Sequence, residues 1–232
     1  MQQYGLFPTN LCAKVCLWFQ APADMEYLCE MKVPASLDLS SAVTVPDNFV
    51  TAFYTLFDQL ALPIPTEFPA TTPPKNADTP ILIYGCGSTV GMYAVQLLKL
   101  AGYTKILTTA SQRHHNYLSR LGASHNFEYT SPTLADDIIK AAGGPISLVV
   151  NCVSTIDTLT AISRFINKHG KLALLIPVKD SEGLTGGQMW TEVPSGQSPF
   201  TQSPDVQLIY VSTFFYQQVR SLLCFHYRAL DC

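Results

Sequence analysis

The sequence predicts a doubly wound α/β domain, a parallel sheet with helices on both faces. Three observations predict it. Strand-like and helix-like segments alternate from residue 79 to about 211. Hydrophobic residues make up 47% of the chain and charged ones 13%, which suits strands buried on both faces. The first strand of the series ends in a glycine-rich turn that runs directly into a helix, as in a βαβ unit.

The elements follow in order. Leu11–Phe19 reads equally as a strand or a short helix, with Pro22 and Pro34 breaking the region. Asp47 suits an N-cap, and Phe49, Val50, Phe53, Tyr54, Phe57 and Leu60 form one apolar helical face. Pro63 and Pro65 stop that helix, and a Pro/Thr-rich linker runs from Phe68 to Pro80. Ile81–Tyr84 is a strand and Val90–Leu100 a helix with Val90, Ala94, Leu97 and Leu98 on one face. Lys105–Thr109 is the second strand, and the helix after it stops at Gly122. Asn126–Tyr129 is a short strand, Leu134–Ala142 a helix closed by Gly143-Gly144, and Ile146–Asn151 the fourth strand. Ser154 is expected to cap a helix to about Asn167 that Gly170 ends, with a fifth strand over Lys171–Ile176. Residues 178–204 read as a long loop and Val206–Val211 as the sixth strand. Such alternation implies right-handed crossovers and a parallel sheet.

The turn Gly85-Cys86-Gly87-Ser88-Thr89-Val90-Gly91 carries the chemistry. Glycines between a buried strand and a helix N-terminus leave backbone N–H groups unpaired and admit a pyrophosphate at close range. The spacing 85, 87, 91 is one residue longer than G-x-G-x-x-G. NAD-selective sites place a carboxylate after the second strand to bind the ribose 2′-hydroxyl. Here the strand ends Thr109-Ala110-Ser111-Gln112-Arg113, without a carboxylate. A hydroxyl and a guanidinium suit a 2′-phosphate, so Ser111 and Arg113 predict NADP.

Other chemistries are disfavoured. A net charge of −3 without a basic stripe argues against nucleic acid and anionic membrane surfaces. No apolar run reaches spanning length, and Met1–Pro8 lacks the positive start of a secretory signal, so a soluble, cytoplasmic chain is expected. Seven scattered cysteines do not suggest a disulfide framework. Cys12, Cys16 and Cys29 lack zinc-site spacing, and no metal is expected. Cys152 reads as a packed small residue rather than a nucleophile. The five histidines fall at helix ends or in the tail, where solvated positions are the default, and Phe53, Tyr54 and Phe57 read as core. No catalytic residue is assigned.

With these residues in view, the chain resembles the medium-chain dehydrogenase/reductase superfamily, most of all its zinc-independent fungal members, which include trans-acting enoyl reductases of polyketide pathways. The resemblance spans about Glu26 to Tyr216. It rests on Pro34-Ala35-Ser36-Leu37, Val50-Thr51-Ala52-Phe53-Tyr54, the turn Cys86–Gly91 followed by Gln96, Leu121-Gly122-Ala123-Ser124-His125 with Tyr129, and Val150-Asn151-Cys152-Val153. It implies a Rossmann-like domain in which Ser88, Thr89 and Val90 meet the pyrophosphate and Tyr129 joins Ser111 and Arg113 around the 2′-phosphate. Thr51 and Asn151 would lie near the nicotinamide, with Leu175, Ile176 and Pro177 lining its far side. The partner implied is a small molecule or an acyl thioester, the latter of the kind a polyketide synthase presents.

The resemblance also implies a GroES-like barrel ahead of the nucleotide domain, most of which has no counterpart here, and residues 217–232 match nothing in the pattern. The expected organisation is a GroES-like remnant over 1–45, a connecting helix and linker over 46–78, the dinucleotide domain over 79–216, and an atypical tail over 217–232. Both ends are expected to be truncated or altered. The function expected is NADPH-dependent, zinc-free reduction of an activated C=C bond in secondary metabolism. The alternatives are a quinone or alkenal reductase of the same superfamily and a non-catalytic homologue retaining only the nucleotide fold.

Overall fold

A computed structural model describes residues 12–14, 30–32, 38, 45–180, 187–194, 196–201 and 203–213. The chain divides into two compact units, Met1–Val50 and Thr51–Cys232. In the first, β1 (Cys12–Lys14) pairs antiparallel with β2 (Glu30–Lys32), Cys12 opposite Lys32. Most of the expected GroES-like segment lies outside the described residues, as does the tail from 214 onward.

Helix α1 (Val45–Phe53) has Pro46 in its first turn, where the missing N–H costs nothing. Asp47, expected as the cap, lies inside that turn, where its charge favours the positive end of the helix. The helix widens into a π-helical turn over Tyr54–Gln59. Leu60 N–H then donates to the Thr55 carbonyl at 3.0 Å and Leu62 N–H to Leu56 at 3.1 Å. Phe53, Tyr54 and Phe57 are buried, with the rings of Phe53 and Phe57 4.8 Å apart and Phe68 closing the group. The core reading of these aromatics holds.

The main sheet has six parallel strands, β3 (Ile81–Tyr84), β4 (Ile106–Ala110), β5 (His125–Glu128), β6 (Ile146–Asn151), β7 (Ile166–Leu175) and β10 (Gln207–Val211). Their order is β10-β7-β6-β3-β4-β5, and every pairing is parallel. The chain therefore winds outward from β3 to β5, returns across β3, and winds outward again through β6. That reversal opens a crevice at the carboxyl ends of β3 and β6, where such sheets bind ligands. All of β3 and β4 is buried, as strands covered on both faces must be. The expected doubly wound sheet is the fold observed.

The crossovers are α2 (Thr89–Leu100), a 3₁₀ turn over Gln112–His114 leading into α3 (His115–Leu121), α4 (Leu134–Ala142) and α5 (Ile156–Ser163). Gly122 and Gly143 end their helices with φ of +127° and +83°, backbone that suits glycine. Helix α2 buries Ala94, Val95, Leu97 and Leu98, and α4 buries Leu134, Ile138 and Ala142.

Three expectations need correction. Helix α5 is capped by Thr155, not Ser154: Thr155 and Thr158 exchange side-chain-to-backbone bonds in a capping box. The helix ends at Ser163 rather than near Asn167, because β7 begins at Ile166. Pairing of β7 with β6 jumps from Ile146↔Ile166 to Leu148↔Lys171, an irregularity that contains Gly170. A Cβ there would stand 2.9 Å from the Asn167 carbonyl oxygen, so this glycine serves a crowded bulge rather than a helix end. The loop after β7 is not structureless either: β8 (Val178–Lys179) pairs antiparallel with β9 (Met189–Trp190). Among the described residues no helix is long and apolar enough to cross a membrane.

Candidate dinucleotide-binding site

The turn after β3 is fixed by bonds on both sides. Gly85 N–H donates to the Thr109 hydroxyl at 3.0 Å and Cys86 N–H to the Thr109 carbonyl at 2.8 Å, tying the turn to β4. Cys152 N–H donates to the Tyr84 carbonyl at 2.9 Å, tying it to β6. Gly85 has φ of +77°, and a Cβ on it would lie 2.6 Å from Val153 Cγ2. A Cβ on Gly91 would lie 2.8 Å from Cys86 Cα. The two glycines let the chain reverse and seat α2 directly on the strand end.

Ser88 is the N-cap of α2; its hydroxyl accepts from Gly91 N–H at 3.2 Å. The Ser88 N–H goes to the Gly85 carbonyl and Met92 N–H to the Ser88 carbonyl. Among the described residues, the N–H groups of Gly87, Thr89 and Val90 donate to no protein acceptor. Gly87 and Thr89 are exposed and Val90 is half-buried. Three unpaired donors on the positive end of a twelve-residue helix fit an anionic diphosphate, which would satisfy them and favour the helix dipole.

Two thiols lie under the turn. Cys86 is fully buried, and desolvation, with a smaller contribution from nearby Cys152, pushes its thiol up. Part of Cys152 is open to solvent, but its thiol is enclosed: desolvation pushes it up to about 12, against a smaller lowering by a bond with Ser88. Neither is a thiolate nucleophile near neutral pH. The packed-residue reading of Cys152 agrees with this environment.

Asn151, at the end of β6, is fully buried. Its amide donates to the Thr158 hydroxyl at 3.0 Å and its amide oxygen accepts Val153 N–H at 3.1 Å. Thr158 also accepts Thr155 N–H at 3.0 Å and donates to the Val153 carbonyl at 2.7 Å. The Asn151 side chain thus shapes the β6–α5 turn from beneath, and Val153 is the exposed apolar group that the turn presents. Thr51 is half-buried in α1, its carbonyl accepting the Thr55 hydroxyl at 2.7 Å. Leu175, the last residue of β7, and Ile176 are both half-buried, followed by a cis bond to Pro177.

At the end of β4 the structure adds groups that the sequence reading passed over. Ser111 precedes the 3₁₀ turn in extended backbone but makes no cap with its hydroxyl. The N–H of Gln112 is instead taken by Glu128 Oε2 at 2.6 Å, reaching across from β5. Thr130 donates to the other carboxylate oxygen at 3.3 Å. The segment after β4 carries no carboxylate of its own, as its sequence reads, but the neighbouring strand supplies one at the end of β4. Arg113 Nε donates to His114 Nε2 at 3.1 Å, and the His114 ring lies 3.4 Å from where a Cβ on Gly87 would be. His115 bonds the Ala110 carbonyl at 3.0 Å. Both histidines are half-buried structural members rather than free solvated groups. Tyr129, the residue after β5, is 40% exposed. Ser111 and Arg113 follow β4 and Tyr129 follows β5, on the side of β3 away from β6, and His114 stands between Arg113 and Gly87. Among the described residues no group of three or more His, Cys, Asp or Glu side chains is placed to hold a metal ion.

Residues 89–185 match the zinc-binding dehydrogenase family model, which begins at the first residue of α2. The chain is 33% identical over 156 residues to a trans-enoyl reductase of Gibberella fujikuroi, covering 67% of this chain and 42% of that protein. It is 40% identical over 117 residues to the dehydrogenase pigH of Monascus ruber, covering 50% and 30%. The chain therefore spans less than half the length of these relatives. Among solved structures, the CurK enoyl reductase superposes with a TM-score of 0.62 at 21% identity, over 88% of this chain and 55% of that one. A quinone oxidoreductase of Pseudomonas syringae gives 0.61 at 18%, over 87% and 56%. These two likenesses carry the fold. Strand order, the glycine turn and the fungal relatives together make this chain similar to the nucleotide-binding part of the medium-chain dehydrogenase/reductase superfamily.

Proposed function

We propose that the chain binds NADPH and takes part in zinc-independent hydride transfer to an activated C=C bond, as the enoyl reductase step of a fungal polyketide pathway. The observation that carries the reading is the trio of unpaired N–H groups of Gly87, Thr89 and Val90, held at the sheet's reversal point by a turn that only glycine allows at 85 and 91. The pyrophosphate would sit on those donors and the 2′-phosphate near Ser111, Arg113 and Tyr129. The nicotinamide would extend past Val153 toward Leu175 and Ile176. Thr51 and Asn151 would border it, Asn151 by shaping the turn that carries Val153.

NADPH, when bound, supplies the hydride, which passes to the β-carbon of an unsaturated thioester while the α-carbon takes a proton. The chain's own part is to orient the cofactor and keep water from the reacting carbons. Its substrate is proposed to be an acyl thioester presented by a polyketide synthase, in keeping with the trans-enoyl reductases among its relatives. Consumption of NADPH followed by absorbance with a crotonyl thioester tests the reading. Thioester-dependent oxidation that needs no added metal supports it. NADPH oxidation unaffected by the thioester but driven by a quinone would contradict it.

A further inference from the structure

The carboxylate of Glu128 is the feature that the cofactor reading does not use. Strands β4 and β5 pair in parallel register with Ala110 opposite Glu128, so the last side chain of β5 reaches the end of β4. Glu128 caps the Gln112 N–H at 2.6 Å from a residue sixteen positions away. Ser111 itself makes no side-chain cap bond to this turn. The Glu128 cap also places a negative charge at the site where a ribose 2′-substituent is read.

Arg113 does not neutralise this charge. Its Nε is turned to His114, and among the described residues no ion pair joins it to Glu128. The carboxylate is half-buried, and among the described residues its hydrogen-bond partners are the Gln112 N–H and the Thr130 hydroxyl. A 2′-hydroxyl can donate to a carboxylate. A 2′-phosphate cannot, and is repelled by it.

We infer that Glu128 is a specificity-determining residue, a carboxylate delivered from β5 that opposes Arg113 and limits the preference for NADPH over NADH. The inference rests on the dinucleotide reading of the site. Glu128→Gln keeps an oxygen able to accept Gln112 N–H while removing the charge. It is expected to tighten NADPH about five- to tenfold and to leave NADH within about twofold or slightly weaker. The gain should shrink as salt rises. Glu128→Asp retains the charge and should keep the wild-type ratio of the two affinities.

The experiment is calorimetric titration of wild type and both variants with NADPH and NADH, with thermal unfolding run alongside to confirm that the Gln variant is folded. A ratio shifted toward NADPH in Glu128→Gln alone bears the inference out. Equal changes for both cofactors, or a shift in the Asp variant as large as in the Gln variant, overturn it and leave the dinucleotide site standing. Failure of wild type to bind either cofactor removes the site itself, and the inference with it.

Discussion

A Cβ on Gly91 would stand 2.8 Å from Cys86 Cα and 3.2 Å from Ser88 Oγ, so the first turn of α2 rests directly on the end of β3. This contact aims the helix N-terminus, and with it the free N–H groups of Thr89 and Val90, into the crevice.

Gly91→Ala reports on that contact. At an ordinary helix position alanine would be favoured by about 1 kcal/mol. Here the methyl meets backbone, and a net loss of about 1–3 kcal/mol of folding stability is expected. Urea unfolding measures it, and NADPH affinity should fall because the donors move with the helix. An unchanged or raised stability would show that the turn has room.

Arg113→Ala should weaken NADPH about tenfold, the scale of one partly solvated charge-assisted contact, and change NADH little. Titration of both cofactors decides it. Unchanged NADPH affinity would place the 2′-phosphate elsewhere.

Thr158→Val tests the turn under Asn151. The isostere leaves the Asn151 amide and Thr155 N–H without their shared acceptor in a buried site, at an expected loss of about 1–3 kcal/mol in urea unfolding. Thr158→Ser should recover most of it, since the hydroxyl returns.

The Cys152 thiol has an ordinary value of 9.0 and is held at about 12 by burial. Below pH 9 the thiol is neutral in both folded and unfolded chains. Above it the unfolded chain loses a proton that the folded chain keeps, so stability falls as pH rises from 9 toward 12. At pH 8, iodoacetamide should label Cys86 and Cys152 far more slowly in the folded chain than in urea, read by peptide mass spectrometry. Labelling of either at the unfolded rate would contradict the burial.

The sequence made the sheet legible because each buried strand is a short apolar run closed by a turn residue: Ile81–Tyr84 and Ile146–Asn151 fall where the pattern puts them. The glycine at 170 misled, since a glycine after a helical pattern reads as a stop and only the pairing with β6 reveals a bulge. The β8–β9 hairpin was hidden because two-residue strands carry no period. In the site, the turn at 85–91 was visible as a contiguous string. Glu128 was not, because its partner Gln112 is a neighbour only through strand register. His114 likewise gained its role from the fold, which brings it against Gly87.

The central claim is that the Gly85–Gly91 turn holds a dinucleotide, and calorimetric titration of the chain with NADPH tests it most directly. One NADPH per chain is expected, bound more tightly than NADH and weakened by Gly91→Ala. No saturable binding of either cofactor at millimolar concentration, by a chain shown to be folded, would contradict the account.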